Sequence, residues 1–172
     1  IAGYMIMNDL SARQLQMEEM KLNLGPAKGK DMANTFGPYL VTTDELQDKI
    51  TDAKPDHTGK AYSLNMKAYH NGQQISEGNF ADMDWTFAEI LERVSYGVDI
   101  YPGDVIGSGT VGTGCYLELN GTARQKDPNH EPTWLKDGDE MTLEIEELGQ
   151  LHNRFTKENT DYSLLSLKKN VD

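Results

Sequence analysis

The chain has 172 residues, with 28 acidic against 16 basic side chains and a formal net charge of -12. That length suits one domain able to bury a core, and the negative charge speaks against nucleic acid or an anionic membrane surface as partner. A single cysteine, Cys115, rules out an intrachain disulfide and fits a reducing compartment, with the cytoplasm the expected location; no signal peptide and no run of apolar residues long enough to span a membrane is evident.

The chain opens on Ile1 and runs directly into a short apolar segment, Gly3 to Met7, which reads as a buried strand. A domain beginning inside a core strand is expected to lack a preceding segment. Asn8 and Asp9 end the strand, and Leu10 to Met20 holds good helix formers without Gly or Pro. A helix starting at Asp9 would put Asp9, Arg13 and Gln16 in one row, which would face water or a site. Asp9 is equally a favoured N-cap, and Asp9 with Arg13 an ordinary helical ion pair. Lys28-Gly29-Lys30 and Asn34 to Tyr39 read as a polar loop that returns into an apolar strand, Pro38 to Val41, bringing Lys30 back over the end of the first strand.

Thr43 to Leu46 could cap one helical turn, and Lys54 to Lys60 reads as a surface loop with an exposed His57. Ala61 to Tyr69 alternates as a half-buried strand; Asn71-Gly72 signals a hairpin that would pair Gln73 to Ser76 back and leave His70 solvated at its tip. Asn79 to Asp84 reads as a loop. Trp85 to Val94 carries the stripe Phe87, Ile90, Leu91, Val94, a capping box of Thr86 with Glu89, and Gly97 to stop it. After the Pro102-Gly103 turn, Asp104 to Ile106 reads as a buried strand. Gly107, Gly109, Gly112 and Gly114 then surround Thr110, either as a tight turn between strands or as backbone that approaches a ligand. Cys115 to Leu119 reads as a strand with Glu118 opposite Leu117 and Leu119; Thr122 to Thr133 reads as a loop. Met141, Leu143 and Ile145 alternate with Thr142, Glu144 and Glu146, which assigns the two glutamates to water rather than to a metal. Gly149 turns the chain into Gln150 to Phe155, and residues 157–172 form a polar tail.

The order N-D-x-S-A-R-x-x-Q from Asn8 to Gln16, a Gly-Lys pair, then G-P-Y-L-V-T, with PGDVIGSGTVGTGCYLEL and LKDGDEMTLEIEELGQLHN further on, resembles the fumarylacetoacetate hydrolase family. The similarity runs from Ile1 to about Asn153. It implies an α+β, mainly β fold, a mixed β-roll with few short helices, with residues 1–156 as an N-terminally incomplete catalytic domain. It implies a homodimer acting on a small 2-oxo or 2,4-dioxo acid with Mg2+, or Ca2+ or Mn2+, held by hard oxygen ligands. Residue by residue, the resemblance makes Asp9 a metal ligand and puts Lys30 and Asn34 in the metal shell, where the family usually has Thr at the place of Asn34. Arg13, Gln16, Lys30 and Thr110 become substrate-binding. Arg13, Gln16, Lys30 and Glu118 become catalytic, Glu118 as the partner of a water-activating histidine.

The activity implied is hydrolysis of a C–C bond in a 2,4-dioxo acid, such as fumarylacetoacetate or an acylpyruvate, through a metal-stabilised enolate. Oxaloacetate decarboxylation and isomerisation or hydration of 2-oxo acids are the alternatives within the family; an inactive fragment or subunit is the alternative outside enzyme chemistry. The family's Glu-x-Glu ligand pair and its histidine lie upstream of the N-D-x-S-A-R motif. On that count the chain alone is expected to bind metal weakly and to be catalytically silent.

Overall fold

The structure, a computed structural model, describes residues 1–23 and 25–159. The polar tail expected over residues 157–172 lies, from residue 160 onward, outside the described residues. All described strand pairs are antiparallel, as expected of an α+β chain that is mainly β. β1 (Gly3–Asp9) pairs with β2 (Asn34–Thr42), β3 (Ile50–Asp52) with β4 (Lys60–Tyr62), and β6 (Gln73–Asn79), β5 (Asn65–His70), β7 (Glu140–Ile145) and β8 (Gly149–Arg154) form one sheet in that order. Among the described residues the α-helices are α1 (Arg13–Glu19), α2 (Phe87–Val94) and α3 (Tyr116–Lys126).

β1 runs two residues further than the apolar run suggests, because Asn8 and Asp9 are held in the ladder opposite Thr35 and Asn34. Asp9 therefore ends a strand and does not start a helix. The row of Asp9, Arg13 and Gln16 on one helical face is not formed, and α1 opens after Ala12 without a side-chain cap. Asn34 to Tyr39 is strand rather than loop. Between Tyr4–Val41 and Ile6–Gly37 the register slips, and Pro38, which has no N–H to give the ladder, sits in the bulge.

The core gathers Ile6 from β1, Leu46 before β3, Tyr62 from β4, Leu64, Leu148 and Leu151, all buried. Tyr4, Tyr62, Phe80 and Phe87 add an aromatic cluster with centroids 5.2 to 5.8 Å apart, mostly edge to face, and burial there pushes the Tyr4 phenol well above its ordinary pKa. The expected strand from Ala61 to Tyr69 divides at Ser63-Leu64. Ser63 N–H donates to the Lys49 carbonyl, and the buried Leu64 turns the chain from the β3–β4 pair into the large sheet. Asn71 and Gly72 both take positive φ, 49° and 79°, and close the β5–β6 hairpin as expected.

Two segments expected as strands are not. Asp104 to Ile106 is irregular, with Val105 exposed. Cys115 to Leu119 enters α3, where Glu118 lies in the first turn and Arg124 and Lys126 in the last, the distribution the helix dipole favours. Asn120 is buried on this helix because it exchanges two hydrogen bonds with the Thr133 backbone, at 2.8 and 2.9 Å. The stretch Asn79 to Asp84 contains a short 3-10 turn with its own capping box, Asn79 with Asp82.

The histidines expected in solvent are largely covered. His57 is 14% exposed, 3.1 Å from Glu89 through Nδ1 and edge-on to Trp85. His70 is 15% exposed, with the Tyr116 hydroxyl 2.6 Å from Nδ1 and Asp139 2.9 Å from Nε2. Glu89 closes the capping box of α2 by accepting from Thr86 N–H at 2.8 Å. N–H donors of Thr58 and Thr86, then His57, hold its carboxyl down at about 2, against an ordinary 4.5. Asp139 is held at about 2 by the Asn71 amide, the Lys136 N–H and then His70.

Both carboxyls have folded pKa values below their unfolded ones. The stability they contribute is therefore complete above about pH 4.5 and is lost as pH falls toward about 2. Urea denaturation at a series of pH values should show stability declining through that window. Glu89→Gln should flatten the decline and leave the slope above pH 5 unchanged; an unaltered acid limb in Glu89→Gln would remove Glu89 from this role.

Candidate active site at the end of the first strand

The ladder between Asp9 and Asn34 closes residues 10–33 into a loop whose last part folds back over the end of β1. That return carries Lys30 to Asp9: Nζ lies 2.6 Å from Oδ2 and donates to the Ser11 hydroxyl at 2.7 Å. The two side chains are 29% and 37% exposed. A pair this exposed contributes at most about 1 kcal/mol, so its importance is where it puts an ammonium rather than how much it stabilises.

The loop is anchored from both sides. Ala12 N–H donates to the Gly29 carbonyl at 2.8 Å, and N–H groups of Ala27, Lys28 and Gly29 donate to the Glu19 carboxylate at 2.9, 2.7 and 3.0 Å. Gly29 is buried against α1, where a Cβ would stand 2.7 Å from the backbone of Gln16, so only glycine lets loop and helix meet. At the start of α1, Arg13 Nη1 donates to Gln16 Oε1 at 2.7 Å, and Nη2 lies 3.6 Å from Cys115 Sγ, just before α3. The base of the ladder is tied to β8: the Asn8 amide and the Thr35 hydroxyl both donate to Asn153 Oδ1, at 3.1 and 2.8 Å.

Of the residues singled out in the sequence, Asp9 and Lys30 are thus in contact, Arg13 and Gln16 are paired on α1, and Asn34 faces Asp9 across the ladder. The glycine-rich loop reaches β1 through Gly107, which lies against Met7 Sδ, and Val111 packs on Gly78 of β6; Thr110 stands exposed on it. Glu118 is not on a strand face. Both its oxygens accept from Thr113 N–H at 3.0 Å, where Thr113 takes a positive φ of 67°. Glu144 and Glu146 do not stand free in water: Gln150 donates to Glu144 at 2.5 Å, and Lys49 lies 2.7 Å from Glu146.

Glu19, Ser11, Asn153 and the contact of Arg13 with Cys115 were not legible in the sequence. Each depends on segments brought together from distant or looped parts of the chain; only Ser11, inside the motif, stood near a signal.

A divalent cation was implied by the resemblance. Among the described residues, no group of three or more His, Cys, Asp or Glu side chains is placed to hold one. Asp9 offers a carboxylate, but the Lys30 ammonium, which has only hydrogens to offer, already occupies its Oδ2. Hard cations take about six or more oxygens, so these residues do not by themselves make a cation site.

The family model for the fumarylacetoacetate hydrolase C-terminal domain matches residues 1–156. A fumarylacetoacetase of Arabidopsis thaliana is 32% identical over 83% of this chain and 40% of its own length. A mitochondrial oxaloacetate tautomerase of Homo sapiens is 32% identical over 90% of this chain and 42% of its own length. A solved structure described as a probable 2-hydroxyhepta-2,4-diene-1,7-dioate isomerase from Mycobacterium abscessus is 30% identical, with a TM-score of 0.62 over 88% of this chain and 48% of its own. The chain belongs to the fumarylacetoacetate hydrolase family and has the fold of that family's C-terminal domain; it spans about two fifths of the length of the curated relatives it matches. Among the described residues no helix is long and apolar enough to cross a membrane.

Gly29→Ala should force the loop off α1 and cost about 1–3 kcal/mol of overpacking in urea denaturation, whereas Lys28→Ala, at a side chain 78% exposed, should be near neutral. Equal stability of the two variants would show that the contact between Gly29 and Gln16 does not fix the loop.

Proposed function

We propose that this domain binds a small 2-oxo acid at Asp9, Arg13, Gln16 and Lys30 and stabilises the oxyanion of its enol or enolate form. The observation that carries the reading is the Lys30 ammonium, held 2.6 Å from Asp9 beside the Arg13 end of α1. On a chain of net charge -12, the Lys30 ammonium at the end of β1 and the Arg13 guanidinium at the start of α1 supply the local positive charge that an anion needs. Arg13 presents a planar fork suited to a substrate carboxylate, with Gln16 fixing its orientation; Lys30 supplies a compact charge for the oxygen on which negative charge grows. One such preorganised donor is typically worth ~10²–10³ in rate. Asp9 and Ser11 aim the ammonium, and Thr110 on the glycine loop would meet the far end of the substrate.

Keto–enol exchange or double-bond isomerisation is the favoured reaction. It needs a stabilised oxyanion and one proton transfer, and the names of the human and mycobacterial relatives support it. C–C hydrolysis of a 2,4-dioxo acid, or decarboxylation of oxaloacetate, shares the same enolate and is the second reading, supported by the Arabidopsis relative. Hydrolysis further requires a positioned water. His57, His70 and His152 are each engaged by Glu89, Tyr116 and Thr142, and Glu118 by Thr113, in this structure.

In the whole protein we assign Asp9 to a Mg2+, Ca2+ or Mn2+ ion completed by further oxygen donors, with Asn34 and Lys30 beside it; such an ion would spread enolate charge. We further propose a cytoplasmic homodimer, whose second copy would cover exposed apolar side chains such as Tyr39, Leu40 and Tyr101.

The test uses full-length protein with oxaloacetate, 2-hydroxydienoates and acylpyruvates in the presence of Mg2+. Lys30→Met should lower kcat about 10²–10³-fold on the best substrate, with a smaller change in KM. Enol–keto exchange faster than cleavage favours the isomerase reading, and the reverse favours hydrolysis. Wild-type turnover in Lys30→Met would remove Lys30 from the chemistry, and no turnover of any of these substrates by the unmutated protein would point to a chain that keeps the fold without the chemistry.

A further inference from the structure

Glu19 occupies an unfavourable place: it is the last residue of α1, where the helix dipole presents negative charge and disfavours a carboxylate. What offsets this is the loop. Three consecutive backbone donors, Ala27, Lys28 and Gly29, converge on the two oxygens of this one side chain, Oε1 from Lys28 and Oε2 from the other two. The carboxyl is accordingly held below the usual carboxylate range, first by the Gly29 N–H, so it remains charged wherever the enzyme works. Its neighbour Glu18 is exposed, and no hydrogen bond from it to the loop is present among the described residues.

Gly29 is thereby held at both ends of its peptide chemistry, N–H by Glu19 and C=O by Ala12 N–H. The next residue is Lys30, whose ammonium reaches Asp9 and Ser11 from that fixed point. The exposed pair with Asp9 is too weak to define the loop on its own. We propose that Glu19 is a positioning residue: its carboxylate latches the 27–29 backbone to α1 and so sets where the Lys30 ammonium stands. The role for Lys30 in turnover rests on the function proposed above; the latch itself does not.

A carboxylate is required because three donors meet it. Gln offers one acceptor oxygen and turns an NH2 toward the other donors, so Glu19→Gln should be intermediate and Glu19→Ala the more severe. The experiment has two independent readouts on the full-length protein. The first is the acetylation rate of Lys30 relative to Lys28 under limiting acetic anhydride, followed by peptide mass spectrometry. It should rise about three- to tenfold in Glu19→Ala and less in Glu19→Gln, as the loop opens locally. The second is kinetics: kcat should fall about ten- to a hundredfold in Glu19→Ala with KM little changed, since misplacement by about 1 Å is enough for such losses. Glu19→Gln keeps the volume of the side chain and guards against a variant that fails to fold.

Unchanged Lys30 labelling in both variants overturns the latch. Labelling that rises while kcat stays at the wild-type value keeps the latch and overturns instead the assignment of Lys30 to the substrate.

Discussion

The antiparallel pairing of Asp9 with Asn34 is the constraint on which the site depends. A ladder closed at that pair obliges residues 10–33 to leave and return at the end of one strand. The return has to lie over α1, and it does so at Gly29, which is buried there and has no side chain to obstruct it. Lys30 follows immediately. The motif N-D-x-S-A-R and the distant Gly-Lys pair are thus two halves of one turn of geometry, and Asp9 is the residue both halves touch. Asn153 on β8 fastens the ladder to the large sheet through Asn8 and Thr35, so the Asp9 end of the site rests on paired strands.

A second tier of contacts supports this corner from the far end of the chain. Arg13 rests on Cys115, and the next residue, Tyr116, is bound to His70 at the end of β5. Glu118 closes the glycine-rich loop onto the first turn of α3, while Ser76 and Thr113 join that loop to β6 at 2.9 Å. These are polar and aromatic links around a modest apolar core. They position more than they stabilise: net hydrogen-bond contributions are about 1 kcal/mol each, but every one removes a direction in which Arg13 or Thr110 could move.

Where the sequence was legible, the signal was local. The capping box of α2 and the Asn71-Gly72 turn carry their geometry in adjacent residues, and period-2 alternation placed Met141, Leu143 and Ile145 on the core side of β7. The family motif carried Asp9 with Lys30, which composition alone would not have joined. Where it was not legible, the deciding partner lay elsewhere in the chain. Asp9 has every local property of an N-cap, yet Asn34 holds it in a strand. Leu117-Glu118-Leu119 alternates like a strand over too few residues to exclude a helix, and the pair of hydrogen bonds from Asn120 to Thr133 belongs to the helix. His57 and His70 sit in turn-rich sequence but are covered by Trp85 and Tyr116. Glu19 could not be found from sequence at all, because its three donors converge only after the loop has folded.

The central claim is that Lys30, held beside Asp9, and Arg13 at the start of α1 form the anion-holding end of a 2-oxo-acid site. A crystal structure of the full-length protein with oxalate, a planar mimic of a 2-oxo acid enolate, and Mg2+ tests it most directly. The account predicts oxalate oxygens within hydrogen-bonding distance of Lys30 Nζ and of the Arg13 guanidinium. Oxalate bound elsewhere, with Lys30 still turned only to Asp9 and Ser11, would contradict it.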